Sequence, residues 1–454
     1  MSRNNTERND LTTGSVWKKL VLFFIPIAAG TILQQLYNAV DGLIVGRFVG
    51  TAALAAVGGS AAQIINVLVG FFVAMTAGAA VIIGQIFGAG RREDLSRAIG
   101  SSVTAMTLFG LGLMLFGLIA SPWLLHLLNT PEDTIEGAAL YLRIYFLGVP
   151  FIMLLNMESS ILRALGDSFN PFLFMVAGCL TNIALDILFV IVFGWGIAGV
   201  AIATVVAQLV NTALLTWKLL SGGQGAWLNL QSLRIQRVYL KNMLRLGIPA
   251  GMQSAMYSIS NLIIQVAVNS LGTIVVASWA MTGKTDGFYW ALSNAMGAAI
   301  TSFIAQNHGA GLTDRVKQCV RQGLILHFTV TVVTSTALMV AAIPMLHLLT
   351  KDQAVVETTY QIMTYFVPYY FTWVLVEVLS SVLRGAGDAV RPVLIVGIGV
   401  CLFRIVWIAT VFAAYRTLFI LCLSYVVSWT VTSIALVIYY KKGNWMFRRR
   451  IVDQ

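Results

Sequence analysis

A run of about 20 mostly apolar residues crosses a bilayer as a helix, because lipid offers no partner to an unpaired backbone group. This chain of 454 residues contains twelve such runs. In the first half they lie at 17–45, 52–82, 95–120, 136–158, 170–193 and 197–218. In the second they lie at 241–268, 274–303, 318–343, 356–382, 391–413 and 418–440. The expected fold is an all-α integral membrane protein. Charge supports this: 10% of the residues are charged, against about 25% in soluble domains. A cytosolic enzyme, a disordered regulator and a secreted disulfide scaffold are thereby excluded. Cys179, Cys319, Cys401 and Cys422 are scattered, with no C-x-x-C spacing, so neither a disulfide framework nor a zinc site is expected. The polar start, Met1 to Thr13, has no apolar core and does not read as a signal peptide.

A net charge of +11 would suit nucleic acid unless the basic residues are placed first. With the N-terminus in the cytoplasm, only Arg47, Lys351 and Arg416 fall outside, and Arg143, Lys284 and Arg404 fall within spans. The other 23 of the 29 Lys and Arg, among them Lys18, Lys19, Arg91, Arg97, Arg234, Lys241, Arg315 and Arg448, fall on cytoplasmic segments. This positive-inside pattern predicts cytoplasmic N- and C-termini and contact with anionic lipids, not nucleic acid.

The loops carry an internal repeat offset by 221 residues. Ser159-Ser160-Ile161-Leu162-Arg163-Ala164-Leu165-Gly166-Asp167 recurs as Ser380-Ser381-Val382-Leu383-Arg384-Gly385-Ala386-Gly387-Asp388. Gln85 with Gly88-Ala89-Gly90 recurs as Gln306 with Gly309-Ala310-Gly311. Six spans per half make a parallel repeat: an N-terminal lobe over residues 1–220, a cytoplasmic linker over 221–240, and a C-terminal lobe with a basic tail over 241–454. The substrate path is expected where the lobes meet.

Intramembrane polar residues are the functional candidates. In span one Gln34, Tyr37, Asn38 and Asp41 follow i, i+3, i+4, i+7 spacing and share one helix face. Span five offers Asn182 and Asp186 at i, i+4, and span six offers Thr204. Counting about 1.5 Å per residue puts Asp41, Asp186 and Thr204 in the outer half of the first lobe. Two carboxylates with an amide and a hydroxyl suit Na⁺, or one carboxylate takes a proton. No basic residue of this lobe lies on spans one, five or six to neutralise them.

The second lobe lacks that cluster and has Lys284 and Asp286 on span eight, Glu377 on span ten and Arg404 on span eleven. These four are candidates either for a substrate site or for a structural charge network. Glu377 lies only seven residues from Arg384, which weakens a contact with Lys284. Gly42, Gly46 and Gly50 are expected to permit close helix packing. Pro26 and Pro249 are hinge candidates, or simply kinks.

Gln35-Leu36-Tyr37-Asn38-Ala39-Val40-Asp41 with Val45-Gly46, the Gly88-Ala89-Gly90 end of span two and the doubled Leu-Arg-x-x-Gly-Asp motif resemble the multidrug and toxic compound extrusion (MATE) family. The resemblance covers essentially the whole chain and points to the DinF-type prokaryotic branch. It implies antiport across the prokaryotic inner membrane by alternating access. An organic, often cationic, drug leaves as H⁺ or Na⁺ enters, with no other cofactor. The branch's coupling site matches Asp41, Asn182, Asp186 and Thr204. A related branch uses acids on spans seven and ten. Glu377 is available here, but span seven offers Ser254, Ser258 and Asn261 and no acid. A monomer is expected. The alternatives are a lipid-linked oligosaccharide flippase of the same superfamily and, more remotely, a membrane-embedded enzyme. For the latter the isolated His126, His308, His327 and His347 supply no H-E-x-x-H motif.

Overall fold

In the computed structural model, which describes residues 10–221 and 227–447, long helices follow one another with short turns between them. The first half contains α1 (Val16–Val49), α2 (Ala52–Gly88), α3 (Arg92–Leu127), α4 (Glu132–Ala164), α5 (Phe169–Val192) and α6 (Gly196–Ser221). The second contains α7 (Arg237–Asn269), α8 (Thr273–Gly309), α9 (Thr313–Leu349), α10 (Gln353–Tyr369 and Phe371–Gly385), α11 (Val390–Tyr415) and α12 (Leu418–Lys442). Nine of these among the described residues are long and apolar enough to cross a membrane. Helix α10, bent by 53°, makes a tenth span. Helices α7 and α8 have the length but not the apolarity. The first opens on Arg237, Lys241 and Arg245, and the second carries Lys284 and Asp286. The linker is shorter than its sequence suggests, since Arg237–Leu240 already belong to α7. Its Gly222–Gly225 lies outside the described residues, as do the basic residues Arg3, Arg8 and Arg448–Arg450.

The repeated Leu-Arg-x-x-Gly-Asp motif is a helix stop. Gly166 and Gly387 adopt φ of 85° and 90°, where a Cβ would strain the backbone. In each copy the Gly and Asp N–H groups bond back to the last turn: Gly166 to Arg163 O and Asp167 to Leu162 O, Gly387 to Arg384 O and Asp388 to Leu383 O. In each copy the arginine also donates to the serine three residues before it, Arg163 to Ser160 and Arg384 to Ser381, both at 2.9 Å.

Two large apolar clusters divide the molecule, and two helices pass between them. Leu20, Phe23, Phe24 and Ile27 of α1 are buried in the cluster built by α8, α9, α10 and α12. Met243 and Leu246 of α7 are buried in the cluster built by α2 to α6. The far ends return to their own halves: Ile44 and Val45 pack with Ala53, Val190 and Val200, while Ile264 and Val268 pack with Phe412 and Leu421. Pro26 and Pro249 lie near the end of each borrowed stretch, and both helices continue through them. The glycine stripe on α1 does not pack as expected. A Cβ on Gly42 would meet nothing within 4 Å, because that side of α1 faces a cavity, and one on Gly50, just past the helix, would also meet nothing; only one on Gly46 would touch a neighbour, Leu54 at 3.4 Å.

Candidate functional site

The first half encloses a cavity of 730 Å³ between α1, α2, α4, α5 and α6, touched by α8. Gln34, Tyr37, Asn38 and Asp41 line it together from one face of α1, as their helical spacing requires. Asn182 of α5 and Thr204 of α6 line it from the other side. Asp186 is fully buried one turn beyond Asn182. Tyr37 faces Thr204 across the cavity, and the Thr204 Oγ1 donates to Val200 O at 3.0 Å.

The carboxyl groups of Asp41 and Asp186 lie within hydrogen-bonding reach of one another. Ionised carboxylates only accept, so this pair cannot bond without a shared proton or a cation between them. Asp41 Oδ1, both Asp186 oxygens and both polar atoms of Asn182 have no hydrogen-bond partner in the protein. Unpaired buried oxygens of this kind are costly. They form a hard-oxygen set suited to one small cation or one proton.

Sequence reasoning missed several lining residues. Tyr141 and Tyr145 of α4, at i, i+4, stand across from Asp41. Gln208 and Asn211 extend the Thr204 face of α6 at i+4 and i+7, the same spacing that was legible in α1. Arg163 lines the far end of the same cavity, although α4 had offered no obvious pore-facing base.

The four charged candidates of the second half do not form one network. Lys284 is on the exposed side of α8, whereas Asp286, two residues on, faces inward. Asp286 accepts from Trp290 Nε1 at 3.1 Å and from the Tyr370 hydroxyl at 3.0 Å. Arg404 lies 3.7 Å over the ring of Tyr425 and donates from Nε to Ser428 at 3.0 Å. Glu377 accepts from Ser381 and pairs with Arg384 at 3.5 Å, the partner seven residues away. The cause is an aromatic block that separates the charges. Tyr289 stacks on Tyr370 at 4.1 Å, and Trp290, Trp373 and Trp429 pack around them. Glu377 reaches a second cavity, of 380 Å³, between the two halves, where Arg163 and Arg384 also face.

The MatE family model matches the chain twice, over residues 26–188 and 249–410. The "Probable multidrug resistance protein YoeA" of Bacillus subtilis (strain 168) is 29% identical over 392 residues, 84% of each chain. YpnP of the same organism, named in the same way, is 33% identical over 68% of each chain. The "Multidrug export protein MepA" of Staphylococcus aureus is 22% identical over 75% of each. Among solved structures, the P26A mutant of a MATE protein superposes with a TM-score of 0.88 at 21% identity, over 95% of this chain and 97% of that one. An outward-facing MATE transporter of the MOP superfamily superposes equally well, with a TM-score of 0.88 over 95% of this chain and 96% of that one. With a doubled family match over well more than half its length and a relative 33% identical over two thirds of it, the chain belongs to the MATE family.

Proposed function

We propose that the protein is a secondary antiporter of the prokaryotic inner membrane that exports organic, cationic amphipathic compounds in exchange for H⁺ or Na⁺. The observation that carries the coupling is the Asp41–Asp186 contact: two carboxyl groups, no donor between them, and a cavity that gives an ion access. Asn182 and Thr204 complete the oxygen set. Family membership and the names of the relatives support drug export.

The mechanism follows from charge. With the pair empty and ionised, two like charges share a low-dielectric site, which favours capture of a cation or a proton. Capture removes the repulsion and lets α1 and α5 close on each other. That contraction narrows the cavity on the side where Tyr37 and Asn38 meet an amphipathic guest, and so couples ion entry to drug release. The same carboxylates, when ionised, attract a cationic guest, while the tyrosines offer it ring faces. The basic face of the molecule, marked by Lys18, Arg91, Arg237 and Arg315, is the cytoplasmic one. The chain acts as a monomer.

Efflux of an organic dye from loaded proteoliposomes under imposed Na⁺ or pH gradients tests this reading. Asp41→Asn is expected to lose gradient-driven exchange. Wild-type rates from that variant under both gradients would remove the coupling role.

A further inference from the structure

On the basic face the two halves meet through a reciprocal pair of glutamines that the coupling site does not explain. Gln85, near the end of α2, donates from Nε2 to the carbonyl of Gly385 at the end of α10, at 3.0 Å. Gln306, near the end of α8, donates from Nε2 to the carbonyl of Ala164 at the end of α4, at 2.7 Å. All four residues are related by the 221-residue repeat, so each half clasps the other in the same way. Both glutamines are fully buried. The backbones beside them are pressed together: a Cβ on Gly88 would lie 2.0 Å from Gln306 O, and one on Gly309 would lie 2.1 Å from Gln85 O. Gln306 does more. Its Oε1 accepts from Leu11 N at 3.1 Å, which ties the segment before α1 into the same joint. Arg315 secures that segment with bonds to the carbonyls of Leu11, Thr13 and Gly14.

The 380 Å³ cavity between the halves is lined by Arg163, Arg384 and Ser302, which stand one to four residues before Ala164, Gly385 and Gln306 of the joint on the same helices. We propose that Gln85 and Gln306 are functional residues of the transport cycle: together they latch the cavity shut at this joint. The path to the basic face opens only when both bonds break. A helix carbonyl that ends a span has lost its in-helix partner, so the cross-lobe amide satisfies it in the closed state alone. Water can replace the amide once the joint opens. The net worth of each bond is therefore small enough to be reversible, and burial keeps it from breaking singly. Glycine at 88 and 309 lets the backbones approach closely enough for the amides to reach.

Accessibility tests the latch. A Ser302→Cys reporter in the cavity lining is labelled with an impermeant maleimide applied to one face at a time, against a background set by the unaltered chain, whose cysteines at 179, 319, 401 and 422 are all buried. Gln85→Met and Gln306→Met remove the donors while keeping the side-chain length. Labelling from the basic face is expected to rise about fivefold in either single variant and about thirtyfold in the double, with labelling from the opposite face lower. An equal rise from both faces, or a lowered melting temperature with unchanged labelling, would reduce the glutamines to packing residues and overturn the proposal. A second measurement does not depend on the folding of the double variant. Ala164→Cys with Gln306→Cys, bridged by a short bifunctional thiol reagent, should stop exchange, and cleaving the bridge should restore it. Exchange that continues at full rate while bridged would also overturn the latch. The labelling readout involves no coupling ion, so it stands apart from the fate of the Asp41–Asp186 reading, whereas the bridging readout rests on exchange itself.

Discussion

The two halves repeat one plan of six helices and fill it in opposite ways. The first half is hollow around a pair of acids, with 730 Å³ of space and oxygens that lack partners. The second half is packed solid at its centre by Tyr289, Trp290, Tyr370, Trp373 and Trp429, and its buried charges are each matched to a ring, an indole or a hydroxyl. The contrast shows that the shared loops preserve how the helices end and clasp, while chemistry diverges on the inward faces. In the first half polar groups are left wanting, which is the condition for binding something. In the second the buried charges Asp286, Glu377 and Arg404 are paired, which is the condition for staying put, while neutral groups such as both His327 nitrogens and Trp373 Nε1 go without partners.

Five substitutions would break or sharpen that contrast. The largest effect is expected for Asp41→Asn, with Asp186→Asn alongside. Gradient-driven dye efflux should fall to background while the melting temperature holds or rises, because a buried like-charge contact is relieved. Next is Trp429→Ala, which hollows the second half. It should cost about 3–5 kcal/mol in stability, by the usual penalty for an emptied aromatic site. Thermal unfolding of the purified protein would show it, and the Na⁺ or H⁺ requirement should not move. A lost ion requirement would mean that the packed half also couples. Asp286→Asn should be milder. It weakens two charge-assisted bonds, from Trp290 and Tyr370, and is expected to lower stability by about 1–2 kcal/mol with transport retained. The smallest effect belongs to Gly42→Ala. Its Cβ enters open cavity, so helix propensity alone predicts a gain of about 0.5–1 kcal/mol and ordinary efflux.

What could be seen in the sequence follows from how local each feature is. The first-half polar face was legible because Gln34, Tyr37, Asn38 and Asp41 sit on a single helix, where spacing alone fixes direction. Gln208 and Asn211 obey the same rule and could have been found beside Thr204. The Leu-Arg-x-x-Gly-Asp copies were visible as a repeat, and their role as helix stops could have been read with them, as their bonds span only five residues. The place of Arg163 in the cavity was not legible, since it depends on how α4 packs against α5 and α6. Nor, apart from the Glu377–Arg384 pair already visible at seven residues' spacing, was the fate of Lys284, Asp286 and Arg404. Their pairing was decided by aromatic residues from α8, α10 and α12, whose meeting is tertiary. The expected packing role of Gly42 failed because the composition of a helix does not say whether its small face meets a neighbour or a void. The close approaches fall instead at Gly88 and Gly309, beside glutamines whose repeat was visible but whose partners were not.

The exchange of α1 and α7 between clusters has a consequence for how far either half could stand alone. A half expressed alone would carry a bare apolar slot where the other half's leading helix belongs, and an unsheltered leading helix of its own. Such a protein is complete only as a swapped pair. Each half of this chain is thus completed by the other's leading helix, and the chain connection between them keeps both exchanged helices within reach.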